Sequence, residues 1–580
     1  MSKRLVIVGG VAAGASAAAK ARRTTEDIEI VLIEAGPYIS FANCGLPYYL
    51  GGEIAERDSL FVVSDKTFAT RYRVDIRTHT TATGVDPQAR TISICSADGA
   101  VDELAYDRLI LATGSVGVRP PIEGLDDGCI FTVRTVPDVD AITAFLAKVA
   151  PPAPETAEVD VKTRVPLRAA VIGGGYIGLE TAEQLRARGL EVTIIEMAEQ
   201  LMLAMDTEMA EPLRQALVAD GCEVILGDAV ARIVERDGHH VMLTRGGREV
   251  PFDIGILAVG AKPSVELARS AGITLGPSGA IQVDTAQHTS DPCIYAAGDN
   301  CESVHLVTGK AVNIPLAGPA NKAGRVAGAN AALDLVGADD DDPTRLAAPP
   351  VLGTAIVRVC DVIAGVTGLT EAAAAREGLD VQLAYIPGAS HASYYPGSKK
   401  VLLKVLFEAT TGRLLGAQGV GGAGVDKRID VLATAISAGM TVGDLEHLDL
   451  CYAPPFGSAK DVVILSGFAA ANALRGVMPS MTPQELLDRL GGENAPLVLD
   501  VRTQREWEAG HLDEAVHLPL DELRERLDEV PTDREIAVHC AGGYRSYLAQ
   551  RILMNRGRDG VRNVLGGYGL IEQVMSSREA

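Results

Sequence analysis

Three kinds of stretch carry residue types whose spacing permits chemistry. In Ser40-Phe41-Ala42-Asn43-Cys44-Gly45-Leu46-Pro47-Tyr48-Tyr49 one cysteine stands before a glycine. A thiolate there could attack a sulfur–sulfur bond, provided a helix end or neighbouring dipoles lower its pKa. The residue five places on is Tyr49, so the sequence has no CxxxxC pair and a redox cycle must run on one cysteine. In Ile536-Ala537-Val538-His539-Cys540-Ala541-Gly542-Gly543-Tyr544-Arg545-Ser546 an apolar run delivers Cys540 to a loop closing at Arg545. Successive N–H groups and the dipole of a following helix would stabilise a thiolate or persulfide anion there. Lastly, the turns Gly9-Gly10-Val11-Ala12-Ala13-Gly14 and Gly173-Gly174-Gly175-Tyr176-Ile177-Gly178 let backbone approach a pyrophosphate at a helix N-terminus.

Each glycine turn needs a strand before it and a helix after it. Arg4 to Val8 and Ala169 to Ile172 are the apolar strands, and the alanine-rich Ala15 to Ala21 favours helix. Each unit closes on a second strand ending in an acid, Glu34 or Glu196, roughly 20 residues past the turn. Val11 replaces the second glycine of the first turn. With 580 residues the chain needs several cores. Pro151 to Pro166 reads as an exposed insertion, and Gly337 to Pro350 as a linker to a third unit ending near Leu474. A separate α/β module follows, opening on Thr482-Pro483 with Glu485, the pattern of a helix N-cap. The apolar run Val462 to Leu474 is shorter than the ~18 residues of a membrane span and reads as a buried helix. A net charge of -23 excludes nucleic acid and anionic membranes as partners. The nine cysteines have no CxxC or metal-like spacing, so no metal is expected. Met1 leads directly into a strand without a secretory pattern, so a cytoplasmic protein is expected.

Met1 to about Leu474 resembles the pyridine nucleotide-disulfide oxidoreductases, and the first turn resembles the FAD-binding start of their coenzyme A-disulfide reductase branch, which also has a small apolar residue at the place of Val11. Leu109 to Ser115 and Ile256 to Ala261 resemble the family's crossovers, and Ile294 to Asp299 its second FAD motif. The resemblance implies an α/β chain with two Rossmann-like domains, for FAD (1–115 and 255–335) and for NAD(P) (116–254). An α+β dimerisation domain (340–474) and an α/β rhodanese domain (480–580) follow. Implied cofactor contacts are Gly9, Val11, Ala12, Ala13, Gly14, Glu34, Thr113, Gly114 and Asp299, then Gly173, Gly175, Tyr176, Ile177, Gly178, Glu196 and Gly260. Asp299 would bind the ribityl chain. Glu196 would bond the ribose of NADH and repel the extra phosphate of NADPH, so NADH is expected and NADPH is the other candidate.

The Cys44 stretch resembles the SFxxCG motif of coenzyme A-disulfide reductases, whose cysteine holds half of a disulfide as a mixed disulfide. Ser40 and Phe41 then belong to the substrate site and Asn43 to the catalytic set, with Lys20, Arg22, Arg23 and Arg71 as candidates for the coenzyme A phosphates. Tyr394 and Tyr452 match two tyrosines that this branch presents to the partner subunit's redox cysteine, which implies a homodimer. Leu497 to Arg502, Glu506-Trp507, Gly510-His511 and His517 to Leu520 resemble the opening of a rhodanese domain. That makes Cys540, with Arg545, a carrier of sulfane sulfur.

The expected function is FAD-dependent NAD(P)H reduction of coenzyme A persulfide, polysulfide or coenzyme A disulfide. A small thiol, disulfide or persulfide is the partner molecule. Two alternatives remain. The motif also occurs in NADH oxidases and peroxidases, which carry a histidine where Ala12 stands; the third reading is a redox-sensing sulfur-relay protein.

Overall fold

The computed structural model describes residues 3–126, 128–149 and 166–579. Of the stretch Pro151 to Pro166, expected to be an exposed insertion, all but the last residue lies outside the described residues. The chain divides into two compact units, Met1–Ile195 with Ala229–Gly353, and Glu196–Asp228 with Thr354–Ala580.

The first unit contains a five-stranded parallel sheet in the order Ile294–Ala296, Arg108–Leu111, Lys3–Val8, Ile28–Ile33, Asp75–Arg77. Both its faces are covered, which is why Leu5 to Val8 and Ile30 to Ile33 are unbroken apolar and buried runs. The helices Ala12–Thr24 and Ala317–Val336 pack together on one face. A Cβ on Gly324 or Gly328 would fall 2.1 or 2.2 Å from the carbonyl oxygen of Ala13 or Ala17. The alanines of the first helix therefore do more than favour helix: they let a second backbone touch it. In a second parallel sheet Glu191–Ile195, Arg168–Ile172, Ile254–Leu257 and Ile130–Phe131 lie side by side, repeating the strand, turn and helix of the first.

In the second unit an antiparallel sheet runs Ala355–Val359, Val362–Gly368, Leu414–Gly421, Lys400–Glu408, Val381–Ala389. The helix Val462–Leu474 forms as expected, with the Asp461 carboxylate accepting from the Val463 amide at 3.1 Å. Lys404, 1% exposed, donates to Asp206 (2.6 Å), Glu208 (2.7 Å) and Glu371 (3.0 Å). These carboxylates lie close enough together to hold a metal ion, and the lysine ammonium is the cation among them. The last module is a parallel sheet in the order Ser480–Met481, Val561–Val564, Ile536–His539, Leu497–Asp500, Ala515–His517. Its first helix, Pro483–Arg489, is capped as expected by Thr482, whose hydroxyl accepts from the Glu485 amide at 3.1 Å. Among the described residues no helix is long and apolar enough to cross a membrane.

Candidate active sites

The two glycine turns are built alike. Gly9 has φ +101°, and a Cβ there would lie 2.2 Å from the Ala112 carbonyl oxygen; Gly173 has φ +107°, with the Ala258 oxygen at 2.5 Å. A Cβ on Gly14 or Gly178 would strike the carbonyl oxygen of Gly9 at 1.7 Å or of Gly173 at 2.0 Å. Strand end, crossover and helix thus meet backbone to backbone. The middle position is different: Val11 (φ -93°) and Gly175 (φ -85°) both have negative φ. A side chain is therefore tolerated at Val11, which accounts for its departure from the glycine pattern. Nothing would meet a Cβ on Gly175 at the N-terminus of the helix Tyr176–Ala187, nor on Gly114 or Gly260 after the crossovers. Open backbone facing a helix N-terminus fits a dinucleotide phosphate.

Glu34 is tied into the first turn, with its carboxylate accepting from the amides of Gly10 (2.8 Å) and Gly36 (2.7 Å). Glu196 accepts from the Ala198 amide at 2.8 Å. Thr113 donates to the Ser264 carbonyl at 2.7 Å, and Ser115 to Asp299 at 3.1 Å. Ala12 and Ala13 begin the first helix, while Ile177 stands exposed on the second.

Cys44 lies on the 3-10 turn Asn43–Gly45, which leads into the helix Leu46–Gly51. Both Asn43 and Cys44 are exposed. Ser40 and Phe41 are fastened under the first turn, since the Ser40 amide donates to the Gly10 carbonyl at 2.9 Å and Phe41 pairs with Phe61. The thiol is held above its ordinary pKa, first by loss of hydration on the sulfur and then by the carboxylates of Glu180 and Asp299. This corrects the expectation of a lowered value: burial first, and then two carboxylates from distant segments, outweigh the dipoles of the local turn. Glu180 is the residue that reading by motif missed. It accepts from the Tyr48 hydroxyl at 2.9 Å, and burial followed by Glu180 pushes Tyr176 up to about 12. Its position in the helix after the second turn is legible; its nearness to a cysteine 136 positions earlier (180 − 44) is not.

Of the four cations expected for coenzyme A phosphates, Arg22 is corrected. It is 6% exposed and donates to the carbonyls of Tyr72, Thr25, Glu26, Ile28 and Arg73, so it ties helix to loop. Arg23 and Arg71 are exposed. Lys20 is half-buried, its pKa lowered by burial and then by Arg325 and Arg23. Arg325, on the helix Ala317–Val336, is thus a further cation of this group.

In the second unit the structure brings Tyr394 and Tyr452 together, hydroxyl to hydroxyl at 3.2 Å, with 75% and 49% of each exposed. Cys540 is 2% exposed and follows the strand Ile536–His539. Its sulfur accepts from the Gly543 amide at 3.1 Å and the Ser546 hydroxyl at 3.4 Å. Gly543 has φ +99° and caps the helix Tyr544–Asn555. Arg545 is clamped by both oxygens of Glu506, at 2.6 and 2.7 Å.

Residues 3–324 match the family of pyridine nucleotide-disulphide oxidoreductases, and residues 354–462 that family's dimerisation domain. The chain belongs to this family. Residues 482–573 of the oxidoreductase match the rhodanese-like domain. The flavin- and NAD(P)H-dependent fold expected from its motifs is therefore borne out. A sequence relative, the coenzyme A-dependent NAD(P)H sulfur oxidoreductase of Pyrococcus abyssi, is 35% identical over 80% of this chain and 97% of its own. Among solved structures, reduced CoADR-RHD of Bacillus anthracis is 41% identical with a TM-score of 0.91, covering 100% of this chain and 99% of that one. An NAD-dependent persulfide reductase of A. fulgidus is 39% identical with a TM-score of 0.87, covering 98% and 99%.

Proposed function

We propose that the protein reduces coenzyme A persulfide, polysulfide or coenzyme A disulfide at Cys44, with electrons from NADH, and that Cys540 handles sulfane sulfur. The observation that carries this reading is an exposed cysteine on an open turn, free of any disulfide and without a second cysteine in CxxxxC spacing. The names of the relatives above support the substrate class.

The Cys44 thiolate attacks one sulfur of the coenzyme A disulfide; the old S–S bond breaks, coenzyme A thiolate leaves, and Cys44 keeps the other half as a mixed disulfide. From the persulfide the leaving group is hydrosulfide. Two electrons then cleave the mixed disulfide, returning the Cys44 thiolate and a second thiol. FAD, when bound, supplies those electrons from the nicotinamide. Gly9, Val11, Ala12, Ala13, Gly14, Glu34, Thr113, Gly114 and Asp299 would hold it. Gly173, Gly175, Tyr176, Ile177, Gly178, Glu196 and Gly260 would hold the nicotinamide nucleotide, Glu196 selecting NADH. Ser40, Phe41, Asn43, Lys20, Arg23 and Arg71 make up the substrate side. Tyr394 and Tyr452 of one subunit of a homodimer give the departing thiolate its proton, and their short contact lets one phenol replenish the other.

The test is an anaerobic NADH assay with coenzyme A disulfide, coenzyme A persulfide and polysulfide, using Cys44→Ser and Cys540→Ser as controls. Turnover with one or more of these, lost in Cys44→Ser, is expected. Turnover only with oxygen or peroxide would contradict the reading and favour the oxidase alternative, against which the absence of a histidine at Ala12 stands.

A further inference from the structure

We infer that Glu506 sets the donor specificity of the Cys540 loop, selecting thiol persulfides over inorganic thiosulfate. The inference rests on reading Cys540 as an acceptor of sulfane sulfur. Either donor delivers a sulfur to the same atom. From R–S–SH, the Cys540 thiolate bonds the outer sulfur, the bond to the inner sulfur breaks, and R–S⁻ leaves. The new Cys540–S–SH holds the transferred atom, and no outside electrons are needed. From thiosulfate the leaving group is sulfite. The donors differ in charge beside the transferred sulfur: the persulfide brings at most one, whereas thiosulfate brings a dianion whose sulfonate needs a nearby cation.

The loop offers little free positive charge. Ala541, Gly542, Gly543 and Tyr544 carry none. Arg545, beside the Cys540 sulfur, gives both terminal nitrogens to Glu506. Arg502, 4% exposed, is bound to Asp500 at 2.6 Å and to the Gly510 carbonyl at 2.7 Å, with the Tyr568 ring 3.8 Å from its guanidinium. His539 is fully buried, and burial drives its pKa down to about 4, so it is neutral.

Glu506 is also held in place. Its carboxylate accepts from the amide (3.0 Å) and hydroxyl (2.7 Å) of Thr503 in a capping box at the helix Gln504–Glu508. Arg545 and then Thr503 bring its pKa to about 2. A carboxylate anchored in this way keeps its charge at the loop. An incoming sulfonate must compete with it for the guanidinium.

Sulfur transfer to cyanide by the full-length, FAD-loaded protein tests this, with thiosulfate and glutathione persulfide as donors. In Glu506→Gln the ratio of kcat/KM for persulfide to that for thiosulfate should fall by on the order of tenfold, the size expected when a charge-assisted hydrogen-bond pair is released. The change should come mainly through the KM for thiosulfate. Thr503→Ala, which loosens the carboxylate and keeps its charge, should move the ratio the same way by less, and serves if Glu506→Gln does not fold. An unchanged ratio, or equal loss with both donors, would overturn the specificity role and leave Glu506 a structural partner of Arg545. Absence of sulfane sulfur on Cys540 with either donor would instead overturn the acceptor reading beneath it.

Discussion

Cys44 is exposed on a short turn, and the ionised groups that act on its sulfur are the carboxylates of Glu180 and Asp299. Cys540 is 2% exposed, and the groups that reach its sulfur are donors: the Gly543 amide, the Ser546 hydroxyl and the Arg545 guanidinium. The first setting leaves a thiol open to a bulky substrate but disfavours its anion. The second surrounds its sulfur with donors and excludes bulk. One chain thus holds two sulfurs suited to different tasks, exchange with a large disulfide and retention of a single sulfur atom.

The largest effects should come from the cysteines themselves. Cys44→Ser should abolish NADH oxidation with coenzyme A disulfide, and Cys540→Ser should abolish sulfane sulfur detectable by cyanolysis. A variant that lost both activities would erase the division of labour. Next in size is the removal of Lys404, which lies among three carboxylates. Lys404→Met should destabilise the second unit by roughly 3–5 kcal/mol, the cost of leaving buried charges uncompensated, read as a fall in its denaturant midpoint.

Acid should separate the two cysteine regions further. His539 titrates near pH 4 in the folded rhodanese module, against an ordinary histidine value of 6.5, because burial disfavours its charge. Between those values the unfolded chain binds more protons, so the module loses stability as pH falls from 6.5 towards 4. The loss reaches roughly 3 kcal/mol, and His539→Phe should remove this slope in thermal melts. Gly543→Ala, at φ +99°, should cost about 1–2 kcal/mol and tilt the amide away from the Cys540 sulfur, slowing persulfide formation there. The smallest effect is at the first cysteine. Glu180→Gln removes a charge that disfavours the thiolate, so alkylation of Cys44 at neutral pH should quicken modestly while Cys540 does not change.

What is legible in the sequence is what is local in it. The glycine turns, the Cys44 turn, the Cys540 loop and the Thr482 cap each lie within a dozen residues, and backbone sterics or dipoles define them. Arg22 escapes such reading because a basic run on a helix gives no sign of which member turns inward; five carbonyls decide it. Glu180 beside Cys44, Arg325 beside Lys20 and Lys404 among Asp206, Glu208 and Glu371 join segments far apart in the chain, and no spacing rule reaches them. The Tyr394 and Tyr452 pair, 58 positions apart, is reached only through family resemblance. The raised pKa of Cys44 is the same failure in electrostatic form, since it comes first from burial and then from charges on other segments.

The proposed reduction runs on Cys44 alone. Intact and peptide mass spectrometry of the FAD-loaded protein after treatment with coenzyme A disulfide tests this most directly. One coenzyme A per chain on Cys44, released when NADH is added without oxygen, is the predicted result. An adduct on another cysteine, an internal disulfide involving Cys44, or an adduct that NADH leaves in place would contradict it.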